Sequence, residues 1–232
     1  MTAKVVQFQQ IGPVTFLKNR RSKNIKISVK PDQSVRVSFP FYVSSSEAAD
    51  FVIKNIDWIT KQQQKFVTKK NELAEGSELQ TKLHQIVFLR GPKNSTTVNY
   101  NHIEIKVTDL SSDESRKYIE NVITGIYRFE AKKILPDRLS ELADKFGFRF
   151  NKITIRNNKR NWGSCSAKNN ISLNLQMMKL PIELIDYILL HELVHTKIKN
   201  HGPNFWLKLD ELTNFRAREL SKQVRKFSTY TL

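Results

Sequence analysis

HELVHTKIKNH, residues 191–201, holds three of the chain's five histidines, and its reading decides the fold around it. His191 and His195 are four apart, so on a helix both imidazoles project from one face, about 40° apart. Two nitrogens at that spacing suit one tetrahedral Zn²⁺. Glu192 follows the first histidine, so its carboxylate can reach beside a metal ion, where it accepts a proton from metal-bound water. The flanking sequence supplies the helix. Pro181 fits a first helical turn. Ile182, Ile185, Ile188 and Leu189, running on to Ile198, make the segment largely apolar and therefore buried.

His201 is the third ligand candidate. On a continuous helix it would face away from the other two, so the helix must end before it and the chain must turn back. Asn200 tolerates the left-handed conformation, and Gly202-Pro203 prevents continuation. A carboxylate of the next helix, Asp210 or Glu211, is the competing ligand. His201 is favoured over them, because an exposed loop histidine is a poor use of a residue this chain hardly contains.

Working outward, Pro203 opens a helix with Phe205, Trp206, Leu207 and Leu209, and a basic helix ends the chain. Upstream, Ile153 and Ile155, then Ile171 and Leu173, read as strands on either side of a polar loop. A long helical pattern starts at Ser111 or Ser112. It runs through Tyr118, Ile119, Val122, Ile123, Ile126 and Phe129, is interrupted by Pro136, and resumes at Leu139, Leu142 and Phe146. Leu83 to Arg90, a short stretch near Thr97, and Ile103 to Val107 read as strands, and Asn71 to Ser77 as a connector. Near the start, Ile25 to Val29 and Val35 to Phe39 alternate around a Pro31–Ser34 turn, which predicts a hairpin, with Val14 to Leu17 as a further strand. Ser44 with Glu47 forms a capping box for a helix through Phe51 and Val52, continued or followed by Trp58 to Val67. The expected fold class is α+β: a β-rich region with one or two helices over residues 1–108, then a catalytic domain over 109–232.

The 232 residues are 39% apolar and 10% aromatic, which excludes collagen-like, low-complexity and wholly disordered chains. Cys165 is the single cysteine, so neither an intrachain disulfide nor a multi-thiolate zinc site can form. The plain apolar runs are about four residues, against roughly 20 for a membrane span, and Met1 to Gln10 does not resemble a secretion signal. A soluble, cytoplasmic protein is expected. With 39 Lys and Arg against 22 Asp and Glu, the formal charge is +17. Nucleic acid, phosphate-rich ligands and acidic surfaces are therefore candidate partners, although the basic residues are spread along the chain and read mainly as solvated faces.

The chain resembles the YgjP-like metallopeptidase family. The resemblance rests on Arg156 to Ser166 (RNNKRNWGSCS), Ile171 to Asn174 (ISLN), HELVH with His201, Phe205-Trp206, Arg20 to Val29 (RRSKNIKISV) and Ser34 to Ser38 (SVRVS). It implies a zincin-like fold related to SprT-type and WLM-type proteases, with His191, His195 and His201 as zinc ligands and Glu192 as the catalytic residue. One departure is visible: family members commonly place a basic residue directly before the Trp, where this chain has Asn161, with Arg160 one position earlier. The histidine spacing equals that of metzincins, but Ile198 stands at their turn-forming Gly, so a different turn is expected.

Candidate substrate-contacting residues are Arg156, Arg160, Trp162, Ser164, Ile171 and Leu173. Ile171 to Leu173 is expected to be an edge strand that pairs with an extended peptide. Arg156, Lys159 and Arg160 could receive a substrate anion. Trp162 and Trp206 suit packing or a cleft wall, and Cys165 reads as a small structural thiol. The expected activity is zinc-dependent hydrolysis, with peptides as the first substrate class. The resemblance also allows a nucleoside-triphosphate (UTP) pyrophosphohydrolase, and a nucleic-acid-associated protein with a secondary zinc site is the third reading.

Overall fold

The computed structural model describes residues 3–30, 32–68 and 73–231, excepting the side chains of 65–68. The chain forms two compact units, Met1–Asn71 and Glu72–Leu232. Its helices and strands are mixed in an α+β arrangement.

The N-terminal unit holds β1 (Ala3–Phe8), β2 (Gly12–Lys18), β3 (Lys26–Val29), β4 (Val35–Phe39), α1 (Ser45–Ile53) and α2 (Ile56–Thr68). The sheet order is β1-β2-β4-β3. The expected hairpin is present, with Ile27 opposite Val37 and Val29 opposite Val35. Pro31, in its expected turn, lies outside the described residues. Val14, Phe16, Val35, Val37 and Phe39 supply the sheet's apolar face, which is buried with Ala48, Val52 and Ile59 of the two helices. The Ser44 capping box forms: Ser44 Oγ accepts from Glu47 N at 3.1 Å, and Ser44 N donates to Glu47 Oε2 at 2.8 Å. β1 was not expected. It is a sheet-edge strand whose residues are at most half-buried, so it lacks the apolar alternation that betrays a strand.

The second unit begins with β5 (Glu78–Gln80), β6 (Gln85–Arg90), β7 (Ser95–Asn99) and β8 (His102–Val107), followed by α3 (Asp113–Phe146). Asn71 and Glu72 of the expected connector lie outside the described residues; 73–77 form loop and turn. The division between units therefore falls well before 108/109. The reason is packing: Ile86, Phe88, Ile103 and Ile105 of this sheet share one core with Ile119, Ile123 and Leu135 of α3. Contrary to expectation, Pro136 does not interrupt α3, which runs on to a left-handed Gly147 at φ 65°. The carbonyl deprived of its donor belongs to Lys132, an exposed residue, so solvent can replace the lost bond.

Glu130 of α3 is fully buried. Its carboxylate accepts from Thr81 Oγ1, from the amides of Lys82 and Leu83 at 3.2 and 3.0 Å, and lies 2.8 Å from His84 Nδ1. The β5–β6 loop is thus pinned to the middle of α3.

β9 (Lys152–Arg156), β10 (Gly163–Cys165) and β11 (Asn170–Asn174) form a three-stranded sheet in the order β10-β11-β9. β11 is its central strand, antiparallel to β10 and parallel to β9. Ile171 and Leu173 are therefore not on an edge, and both side chains are buried in the core. The edge position belongs to β10, a three-residue strand too short to show a sequence period. A short 3₁₀ turn (Leu175–Lys179) leads to α4 (Ile182–Val194), α5 (Pro203–Leu212) and α6 (Ala217–Val224). Among the described residues, no helix is long and apolar enough to cross a membrane.

Candidate metal centre

Helix α4 buries Leu184, Ile185, Ile188, Leu189 and Leu193, as its apolar composition requires. That burial fixes the rotation of the helix and holds His191 and His195 on one side. The helix ends at Val194, earlier than Ile198. Ile198 N then donates to Val194 O at 2.9 Å, and His195 Nδ1 donates to Ile198 O at 3.0 Å. The turn-back is made without a left-handed residue at Asn200, and Pro203 opens α5 after an extended Gly202.

The result is convergence. The Nε2 atoms of His191 and His195 are 3.2 Å apart, those of His195 and His201 3.1 Å, and those of His191 and His201 3.0 Å. Three nitrogens bound to one tetrahedral Zn²⁺ at about 2.0–2.1 Å would be about 3.3–3.4 Å apart, so the donor set fits such an ion closely. The bond from His195 Nδ1 to Ile198 fixes the tautomer that leaves Nε2 free to ligate. Phe205 of α5, fully buried, backs all three rings, with centroids 4.8, 4.6 and 4.7 Å from His191, His195 and His201. Sequence reading gave Phe205 no such role. Its only signal is its position four residues beyond His201 on a helix that must return beneath the site.

Burial, reinforced by the two neighbouring imidazoles, pushes the His191 pKa down to about 3. Burial also lowers that of His195. Both shifts favour the neutral ring, which is the ligating form.

Glu192 is buried, and burial pushes its pKa up to about 8. Its Oε2 atom is buried without a hydrogen-bond partner. An orphaned carboxylate oxygen is costly to bury, and of the four unpartnered buried atoms among the described residues it is the only one on a carboxylate. Gly163 of β10 makes room for this carboxylate. A Cβ there would lie 2.6 Å from Glu192 Oε1 and 2.8 Å from Cγ. Sequence reading quoted Gly163 without a role; a glycine inside a strand is the available signal for close approach.

The remaining candidates fall into place unevenly. Ser164 is exposed on β10, whose only strand partner among the described residues is β11. Trp162 is half-buried, and its carbonyl accepts from Asn174 N at 2.8 Å. Arg156 and Arg160 are exposed, and no described contact joins either to the histidines. The loop between them is built on buried Asn174, whose Nδ2 donates to the carbonyls of Asn158 and Asn161. Lys159 sits over the Tyr230 ring, 5.5 Å from its centroid. Trp206 lies 6.4 Å from the His201 ring, with the Arg218 guanidinium stacked 3.6 Å over it.

The carboxylates that competed with His201 are engaged elsewhere. Asp210 Oδ1 accepts from Ala217 N at 3.0 Å, and Glu211 pairs with Lys208 at 2.8 Å. Cys165 is half-buried, and burial raises its thiol pKa. Lys199 ties the turn between His195 and His201 to the β10–β11 turn, donating to Ser166 O at 3.0 Å and Asn169 Oδ1 at 2.6 Å.

A buried H-E-x-x-H helix whose two histidines meet a third imidazole is the arrangement of metal-dependent hydrolases. Within that class, residues 23–226 match the YgjP-like metallopeptidase domain, and the chain belongs to this family. It is also similar to the metallopeptidase zymogen abylysin of Pyrococcus abyssi, at 27% identity and a TM-score of 0.37, over 40% of this chain and 95% of that one. The metallopeptidase zymogen jannalysin of Methanocaldococcus jannaschii is similar at 28% identity and a TM-score of 0.34, over 39% of this chain and 93% of that one. No curated protein matches.

Proposed function

We propose that the chain is a zinc-dependent peptidase in which His191, His195 and His201 hold the ion and Glu192 moves the proton. The observation that carries this reading is three Nε2 atoms within 3.2 Å of one another, with Glu192, the next residue after His191, carrying a buried carboxylate oxygen that has no partner. Zn²⁺ held by the three imidazoles would supply a water whose pKa is lowered to about 7 and a Lewis acid for the scissile carbonyl. Glu192 accepts the water proton on a carboxylate oxygen and delivers it to the leaving amine nitrogen. Its apolar surroundings make that carboxylate a strong base, and a cation close by favours its ionised form. Phe205 and the Ile198 carbonyl keep the imidazoles in place. The free edge of β10 offers main-chain donors and acceptors to an extended peptide, and Ser164 sits on that strand.

Incubating the protein with casein and with a nucleotide panel that includes UTP, each with and without chelator, tests the reading. Casein cleavage that chelator abolishes is expected. Glu192→Gln should retain its metal and lose at least about a hundredfold in kcat. Turnover that survives this substitution, or hydrolysis confined to nucleoside triphosphates, would overturn the assignment.

A further inference from the structure

The positive charge of the chain is not evenly placed. Met1–Asn71 carries 13 Lys and Arg against four Asp and Glu, whereas the remaining 161 residues carry 26 against 18. From Met1 to Pro31 there is no acidic residue at all. The four acids of the N-terminal unit are Asp32, in the β3–β4 turn, and Glu47, Asp50 and Asp57, on α1 and α2. Those helices pack on the apolar face of the sheet. Strand alternation puts Lys26, Ser28, Arg36, Ser38 and Thr15 on the other face. There Lys26 stands opposite Ser38, and Arg36 opposite both Ser28 and Thr15. No described element of this unit covers that face, and Lys26, Ser28 and Arg36 are exposed. All eight ion pairs among the described residues lie in the second unit, so no carboxylate neutralises Lys26 or Arg36 at ion-pair distance.

One end of the same sheet carries aromatic rings among cations. Phe41 is 52% exposed and Tyr42 78% exposed, just beyond β4. Lys18 Nζ lies 5.9 Å and the Arg20 guanidinium 5.3 Å from the centroid of the Phe41 ring. The Tyr42 hydroxyl donates to the Lys23 carbonyl at 2.8 Å, which ties its side chain to the segment leading into the strand that brings Lys26. Lys18 projects from the helix side of β2, so the rings sit at the end of the sheet. They adjoin a face that carries unpaired cations and hydroxyls beside Leu17 and Val5. Exposed rings with cations close by are what a single-stranded nucleic acid needs: faces for bases and charges for phosphates. An acidic polypeptide would use the charges but has no use for the rings.

We propose that this open sheet face, from Phe41 and Tyr42 across Lys26 and Arg36, binds single-stranded nucleic acid. The inference is independent of the peptidase reading.

The test is fluorescence anisotropy of the full chain with labelled single-stranded oligonucleotides across a salt series. Affinity should fall linearly in log–log form with salt. Lys26→Ala/Arg36→Ala should weaken binding at least about tenfold and make the salt slope shallower by about 1.4, at about 0.7 per phosphate contact. Phe41→Ala/Tyr42→Ala should weaken it about tenfold with the slope unchanged. A matched loss of charge in the second unit, Lys152→Ala/Lys222→Ala, should change affinity less than about twofold. No binding at about 50 mM salt would overturn the proposal. So would equal weakening by the matched pair. If polyglutamate competes as well as the oligonucleotide and the aromatic pair is silent, the face takes acidic polypeptide and the proposal also fails.

Discussion

The two units handle polar groups in opposite ways. The second unit pairs them: its eight ion pairs include the buried Glu130 site, where one carboxylate meets a hydroxyl, two amides and an imidazole. Among its described residues four buried side-chain atoms have no partner, on Ser115, Arg116, Gln176 and Glu192, and of these only Glu192 Oε2 belongs to a carboxylate. The N-terminal unit, among its described residues, leaves Lys26 and Arg36 without an ion pair on one face of its sheet and confines its acids to a turn and two helices. Pairing therefore means different things in each. In the second unit the unpartnered carboxylate is buried and carries the proposed chemistry, whereas in the first the unpaired Lys26 and Arg36 are exposed and carry the proposed surface.

That contrast can be broken at several points. The largest effect is expected at Glu130→Ala, which takes the acceptor from buried Thr81 and from the half-buried donors of Lys82, Leu83 and His84. It should lower the stability of the second unit by about 3–5 kcal/mol in denaturant titration. A loss below about 1 kcal/mol would show that the carboxylate is not an anchor. Gly163→Ala comes next. Its methyl must displace the Glu192 carboxylate, so kcat should fall about a hundredfold while metal content stays at the wild-type level. Unchanged kcat would separate β10 from the chemistry. In the N-terminal unit, Ser44→Ala removes a helix cap and should cost about 1 kcal/mol. The smallest effect is a pH dependence. The Ser44 amide holds the Glu47 carboxyl below its ordinary pKa. The cap's contribution is thus present above the unfolded carboxylate pKa of about 4.3 and is lost as pH falls through the lower folded value. Glu47→Gln should flatten that stretch of the stability–pH curve.

What could be read in advance follows from local physics. Helix α4 and two of its imidazoles were legible because i, i+4 spacing and an apolar run need no tertiary information. The β3–β4 hairpin and the Ser44 cap were legible for the same reason. β10 was not, because three residues carry no period, and its absence from the reading promoted Ile171 and Leu173 to an edge they do not occupy. Pro136 misled because propensity could not reveal that the broken hydrogen bond lies at an exposed residue. The division between units was misplaced because only the shared core of β6, β8 and α3 shows that they fold together. Glu130 and the fit of Gly163 against Glu192 join residues far apart in the chain, and no local pattern announces either.

The most direct test of the metal centre is elemental analysis of the purified wild type beside His201→Ala and Glu211→Ala. About one equivalent of divalent metal is predicted in the wild type and in Glu211→Ala, and less than about a tenth of that in His201→Ala. A full complement of metal in His201→Ala would contradict the convergence of three imidazoles on one ion.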